Sequence, residues 1–240
     1  MKKYLMLLLL GLSLKGFTQA PSHTTSNRID QNTIVKDGSG TILPYKIWQK
    51  LVQSGEYSLR PAKSGSQEYL VYQMTEDEKA KALERRKAMA TSMGKPRASD
   101  SFNEGEKFRG EKITDINGNK FDLRKIEGKI YVINFWFINC PPCKQEIPEL
   151  NELVKQYQDN KDIVFLAIAL DDKYSLKQFL KTSPFNYNVV DDGRYYATKY
   201  GVTAYPTHVI IGKDGLVKFS TVGLAPNTIH WIEKTIKEQL

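Results

Sequence analysis

Cysteine is nearly absent: the 240 residues hold only Cys140 and Cys143. That excludes a disulfide framework, and with just Pro141 and Pro142 between them a bridge would close almost no loop and give little of the stabilisation of long-range disulfides. Histidine is nearly as scarce, and His23, His208 and His230 lie scattered, without the ligand spacing of a four-coordinate zinc site. Lys144 stands where haem attachment needs a histidine. The opening apolar run is shorter than the ~20 residues that span a bilayer. The formal charge is +8, but no Lys/Arg block carries interleaved aromatics, so nucleic acid is not an expected partner.

What is there begins with an address. Lys2 and Lys3, an apolar run from Tyr4 to Leu14 and the small-residue neighbourhood of Ala20 form a secretory signal pattern over residues 1–20. Removing that segment takes three positive charges and no acid with it. Pro21 fits a peptidase cleft poorly after a cut at Ala20, so an uncleaved N-terminal membrane tether is the alternative, and no cysteine near residue 20 can accept a lipid. An exported chain with one vicinal cysteine pair belongs in an oxidising compartment such as the periplasm, where something keeps the pair reduced.

The pair itself sits where the apolar run Ile130–Phe137 gives way to a polar, helix-like stretch. A cysteine capping a helix faces unpaired backbone N–H groups and the positive end of the helix dipole, both of which favour the thiolate. Cys140 is therefore read as the attacking sulfur, and Cys143, one turn inward, as the thiol that resolves the mixed disulfide. Pro141 and Pro142 suit a first helical turn but carry no N–H. Cys140 then gets less backbone help than a Gly-Pro linker would give, and a comparatively weakly acidic, reducing couple is expected.

Along the chain, Asp37-Gly38-Ser39-Gly40 marks a hairpin turn, followed by an amphipathic piece from Tyr45 to Val52 and strands near Tyr57 and Tyr69. Tyr45, Trp48, Tyr57, Tyr69 and Tyr72 fit either a partner-binding face or the core of a small subdomain. Thr75-Glu76-Asp77-Glu78 reads as a capping box for a solvated helix over about 76–92, ended by Gly94 and Pro96. Residues 94–106 read as a linker. From residue 108 strands and helices alternate: a hairpin around Asn117-Gly118, strand 129–137, a helix from 141 to about 158, an apolar strand 163–170, and helices near 173–182 and 193–200. Strands at 207–211 and 216–220 and a last helix at 226–239 close the chain. This β-α-β then β-β-α order predicts an α/β fold around a mixed sheet, with domains at 1–20 (signal), 21–93 (a small α+β extension), 94–106 (linker) and 107–240.

The segment Asn134–Leu150, with Cys140-Pro141-Pro142-Cys143 after an apolar strand, Glu146-Ile147-Pro148 behind it and Tyr205-Pro206-Thr207 downstream, closely resembles the TlpA/ResA-type thioredoxin-like proteins of the redoxin superfamily over roughly 108–240. The resemblance implies a thioredoxin-like fold and a periplasmic or membrane-tethered thiol-disulfide oxidoreductase, usually reducing, fed by a membrane electron donor and acting on disulfide-containing proteins. It needs no cofactor and no metal. It also implies that Cys140 is the nucleophile, Cys143 the resolving thiol and Glu146 a carboxylate tuning the active-site protons. Pro148 matches a helix-kinking proline, Pro206 a cis-proline that turns the Tyr205 carbonyl toward substrate, and Trp136 a tryptophan under the site. Asn134 stands where thioredoxin has a buried aspartate, and Asn139 where many relatives have tryptophan. Rival readings are a non-catalytic binding or metal-handling module on the same scaffold, and a peroxidase, which would want threonine and proline ahead of its sulfur.

Overall fold

The computed structural model describes residues 29–126 and 128–240; the signal pattern at 1–20 and His23 lie outside them. Contacts divide the chain after Tyr72 into two compact units. Among the described residues no helix is long and apolar enough to cross a membrane.

In the first unit, β1 (Val35–Lys36) and β2 (Ile42–Leu43) pair antiparallel. The carboxylate of Asp37 accepts the hydroxyl and N–H of Ser39 and the N–H of Thr41, which closes the turn. Those bonds, the Ser39 hydroxyl first, hold its carboxyl below the usual range. Helix α1 (Tyr45–Gln53), β3 (Tyr57–Pro61) and β4 (Tyr69–Gln73) complete a sheet of order β2-β1-β4-β3, with β4 parallel to β1. Val35, Trp48 and Val71 form its core, with Tyr57 and Tyr69 packed against them. The aromatic residues of this region are thus largely core, although Tyr45 stays exposed at the edge of Trp48.

The second unit opens with α2 (Glu76–Ser92), whose N-terminus carries the full capping box between Thr75 and Glu78. Only Ala90 of this helix is buried, and Arg86 pairs with Glu149 at 3.2 Å. Residues 94–106 do not hang free. Arg97 accepts the Val222 N–H, Gly105 donates to Val217, and Ser220 bonds the Phe102 carbonyl. Phe102 itself is buried against Phe135, so a stretch with a linker's composition is fastened along a sheet edge.

Then come β5 (Lys112–Thr114) and β6 (Lys120–Asp122), an antiparallel hairpin. Asp115 accepts from the N–H groups of Asn117 and Asn119, and Gly118 takes the positive φ of +92° that its turn position requires. The central sheet uses β7 (Ile130–Trp136), β8 (Ile163–Ala169), β9 (Asn188–Val190), β10 (Thr207–Ile211) and β11 (Val217–Val222) in the order β11-β10-β7-β8-β9. Strands β7, β8 and β9 are parallel; β10 is antiparallel to β7 and β11. The helices are α3 (Pro141–Gln156), α4 (Lys173–Thr182), α5 (Arg194–Tyr200) and α6 (Thr228–Gln239).

Strand alternation sorts the core into two layers. Ile130, Val132 and Trp136 of β7 face α3, α4 and α6, in one cluster with Leu150, Leu176, Ile232 and Ile236. Tyr131, Ile133 and Phe135 face the opposite way, toward Phe102, Phe108, the β5–β6 hairpin and α5. By the same parity, Asn134 points toward α3, and so does His208 beside Ile210 of β10.

Candidate active site

Cys140 ends the loop after β7 and is the N-cap residue of α3. The loop is held by the Asp171 carboxylate, which accepts the Ile138 N–H at 2.7 Å, and by the Cys140 N–H on the Phe137 carbonyl. Pro141 and Pro142 fill the first helical positions, so the nearest donor to the capping sulfur is the Cys143 N–H, 3.3 Å from Cys140 Sγ. The Lys144 N–H is taken by the Cys140 carbonyl. One N–H therefore supports that sulfur, since Pro141 and Pro142 have none to give.

The two sulfurs are bridged, with Cα atoms 5.3 Å apart. Cys140 is 2% exposed and Cys143 1%, so in this oxidised form Cys140 is covered almost as fully as its partner. Helical spacing then lines up Cys143, Glu146, Ile147, Leu150 and Leu153 on the buried face of α3. Pro148 lies inside the helix and has no N–H to offer the Lys144 carbonyl.

The loop before β10, where the Tyr205–Pro206 bond is cis, meets the loop that carries the pair. Pro206 is buried and Tyr205 half-buried. The Tyr205 ring meets Phe137 edge-on at 5.5 Å, which ties this loop to the one carrying Cys140. Trp136 sits differently from a residue that touches substrate. It is fully buried, between Phe179 and Phe185, because the last position of β7 turns inward; it is floor, not surface.

Glu146 is 4% exposed, far from a solvated helix carboxylate. Its Oε2 lies 3.0 Å from His208 Nε2, and His208 is wholly buried. Strand register places His208 directly opposite Asn134. Glu146 Oε1, His208 Nδ1, both amide atoms of Asn134 and the Tyr187 hydroxyl find no protein partner. Burial, and then the neighbouring Glu146 carboxylate, push the Tyr187 hydroxyl up. A polar cluster thus lies within the core layer that holds the sulfurs. Sequence reading, which treated His208 only as a stray metal-ligand candidate, missed it. The available signal was a histidine in the otherwise apolar run Val209-Ile210-Ile211, where a buried imidazole requires a partner. Among the described residues no three His, Cys, Asp or Glu side chains gather as a metal site would need.

Residues 105–220 match the AhpC/TSA family. The thiol-disulfide oxidoreductase ResA of Bacillus thuringiensis (strain Al Hakam) is 34% identical over 113 residues, 46% of this chain and 65% of that protein. A second ResA, from Halalkalibacterium halodurans, is 27% identical over 137 residues, covering 56% of this chain and 78% of its own length. This region is similar to redoxins of the ResA type. It also superposes on a candidate thiol:disulfide interchange protein DsbE from Chlorobium tepidum, with a TM-score of 0.52, 26% identity and coverage of 57% of this chain and 98% of that one. Its fold is thioredoxin-like. The chain spans a little less than two thirds of the length of the first of these relatives.

Proposed function

We propose that this protein is an exported thiol-disulfide oxidoreductase that reduces disulfides in periplasmic proteins. The observation that carries the reading is the bridged Cys140–Cys143 pair at the N-cap of α3, on a loop that touches the cis Tyr205–Pro206 loop through Phe137 and Tyr205. In the reduced chain the Cys140 thiolate attacks a sulfur of the client disulfide and expels one client thiolate. Cys143 then attacks Cys140 Sγ, re-forms the internal bridge and expels the second client sulfur. Two electrons pass to the client. Glu146 accepts the proton that Cys143 sheds before it attacks, and Tyr205 and Pro206 form the rim on which the client strand lies. The single backbone donor on Cys140 Sγ favours a weakly acidic thiol and the reducing direction. Residues 1–20 serve as the export signal or, uncut, as a membrane tether, and a membrane electron donor re-reduces the pair. The relatives named ResA support the chemistry; none of them supplies the client.

Mixing the reduced chain with a disulfide-bridged polypeptide tests this. Cys140→Ser should abolish exchange, and Cys143→Ser should accumulate a mixed disulfide visible by mass spectrometry. An unreduced client after prolonged incubation with reduced wild-type chain overturns the reading.

A further inference from the structure

Glu146 has a partner that the exchange scheme leaves idle. Its two carboxylate oxygens are in different situations: Oε2 is 3.0 Å from His208 Nε2, whereas Oε1 is buried without a protein partner. Two lone pairs cannot face each other at that separation, so a proton lies between Nε2 and Oε2. We propose that His208 is the positioning residue for Glu146: its Nε2–H holds Oε2 and leaves Oε1 as the oxygen that takes the Cys143 proton. The inference rests on the exchange reading above.

The surroundings restrict which other groups could do this. From β7 the residue opposite His208 is Asn134, and from β11 it is Thr221, neither of which titrates. Helix α3 offers Cys140, Cys143 and Glu146. Helix α6 presents Thr228, Ile232, Thr235 and Ile236 from its buried face. Tyr187, buried near Glu146, is the remaining titratable neighbour, and as a phenol it stays protonated where the carboxylate does not. The arrangement follows a general pattern in which a base that moves a proton is itself oriented by a third group.

The proton balance of the resolving step is simple. Cys143 gives its proton to Glu146 Oε1, its sulfur bonds to Cys140 Sγ, the bond from Cys140 to the client sulfur breaks, and the departing client thiolate takes the proton back. His208 gains and loses nothing over the cycle. It fixes the rotamer of the carboxylate and, by sharing one proton with Oε2, sets the basicity of Oε1.

Stopped-flow kinetics of the whole chain, with Cys140 attack and Cys143 resolution recorded separately across pH 5–9, test the assignment. His208→Leu should slow resolution by about tenfold, the lower end of what an orienting partner contributes, displace the midpoint of its pH profile, and leave Cys140 attack unchanged. His208→Gln, which keeps an N–H donor at a similar reach, should restore most of the rate. A His208→Leu profile superimposable on that of wild type, or equal losses in the Leu and Gln variants, overturns the proposal while wild-type exchange persists. Loss of exchange in wild type itself would remove the functional reading beneath it. If His208→Leu does not fold, the imidazole 15N shifts of the wild-type chain decide the matter. A proton on Nε2 whose shift moves when the pair is reduced and in Glu146→Gln is expected, and a proton on Nδ1 with no such response overturns it.

Discussion

On the side of the central sheet covered by α5 and the β5–β6 hairpin, Phe102, Phe108, Phe135 and Tyr200 pack ring against ring at 5.2–6.3 Å. The hydroxyls of Tyr196 and Tyr200 reach the carbonyls of Lys112 and Arg109. On the side facing α3 and α6, polar atoms of Asn134, Trp136, Glu146, Tyr187 and His208 are buried without protein partners. One strand, β7, supplies both layers, so the contrast comes from alternation along seven residues. Unpaired buried polar groups cost stability. Their concentration in the layer that holds the sulfurs, and not in the other, separates the part of the sheet that stabilises from the part that carries the cysteine pair.

Three measurements test that separation. The largest effect is expected from Phe135→Ala. Phe135 is 1% exposed within the aromatic layer, and truncating such a ring costs about 3–5 kcal/mol. The urea midpoint should fall steeply while exchange per folded molecule stays at the wild-type rate; a change in exchange would break the contrast. Asn134→Leu should act in the opposite sense. Replacing a buried amide whose atoms lack protein partners by hydrocarbon of similar size should raise stability by roughly 1–3 kcal/mol, while the pH profile of exchange shifts. A less stable variant would show that the amide is satisfied after all.

The smallest effect belongs to Tyr200→Phe, which loses one half-exposed hydrogen bond and should cost at most about 1 kcal/mol. Its value lies in its pH dependence. Burial, and then Tyr196 and Tyr195, push the Tyr200 hydroxyl up to about 12, whereas an unfolded tyrosine ionises near ~10. The contribution of Tyr200 is therefore complete below pH ~10 and is lost as pH rises from there through about 12. Alkaline unfolding followed by tyrosinate absorbance should begin later in Tyr200→Phe than in wild type.

Much of the fold was legible because its signals are local. The capping box at Thr75, the Asn117-Gly118 turn, the apolar β7 and β8 and the spacing along α3 each declare an element from a few neighbouring residues. The cysteine pair was legible for the same reason. The Glu146–His208 contact was not, since it joins residues 62 positions apart and depends on the register of β10 against β7. Residues 94–106 show another limit. Their Gly, Pro, Ser and Asn composition is that of a tether, but composition says nothing about backbone groups pairing with a strand more than a hundred residues downstream. Phe102, an isolated ring in polar company, was the one clue that the stretch is anchored. Trp136 shows a third limit, because a strand-end aromatic can belong to the floor or to the rim and only the parity of the strand decides.

The near-complete cover over the bridged cysteines bears on how the molecule is recharged. A nucleophile breaks a disulfide by approaching from behind one sulfur along the S–S axis, and at 2% and 1% exposure little of either cysteine meets solvent. Reduction of the bridge by small thiols is therefore expected to wait on local opening of the chain, so that beyond some concentration adding more of them no longer speeds it. The ceiling they meet is the frequency of that opening, a property of the surrounding side chains rather than of sulfur chemistry.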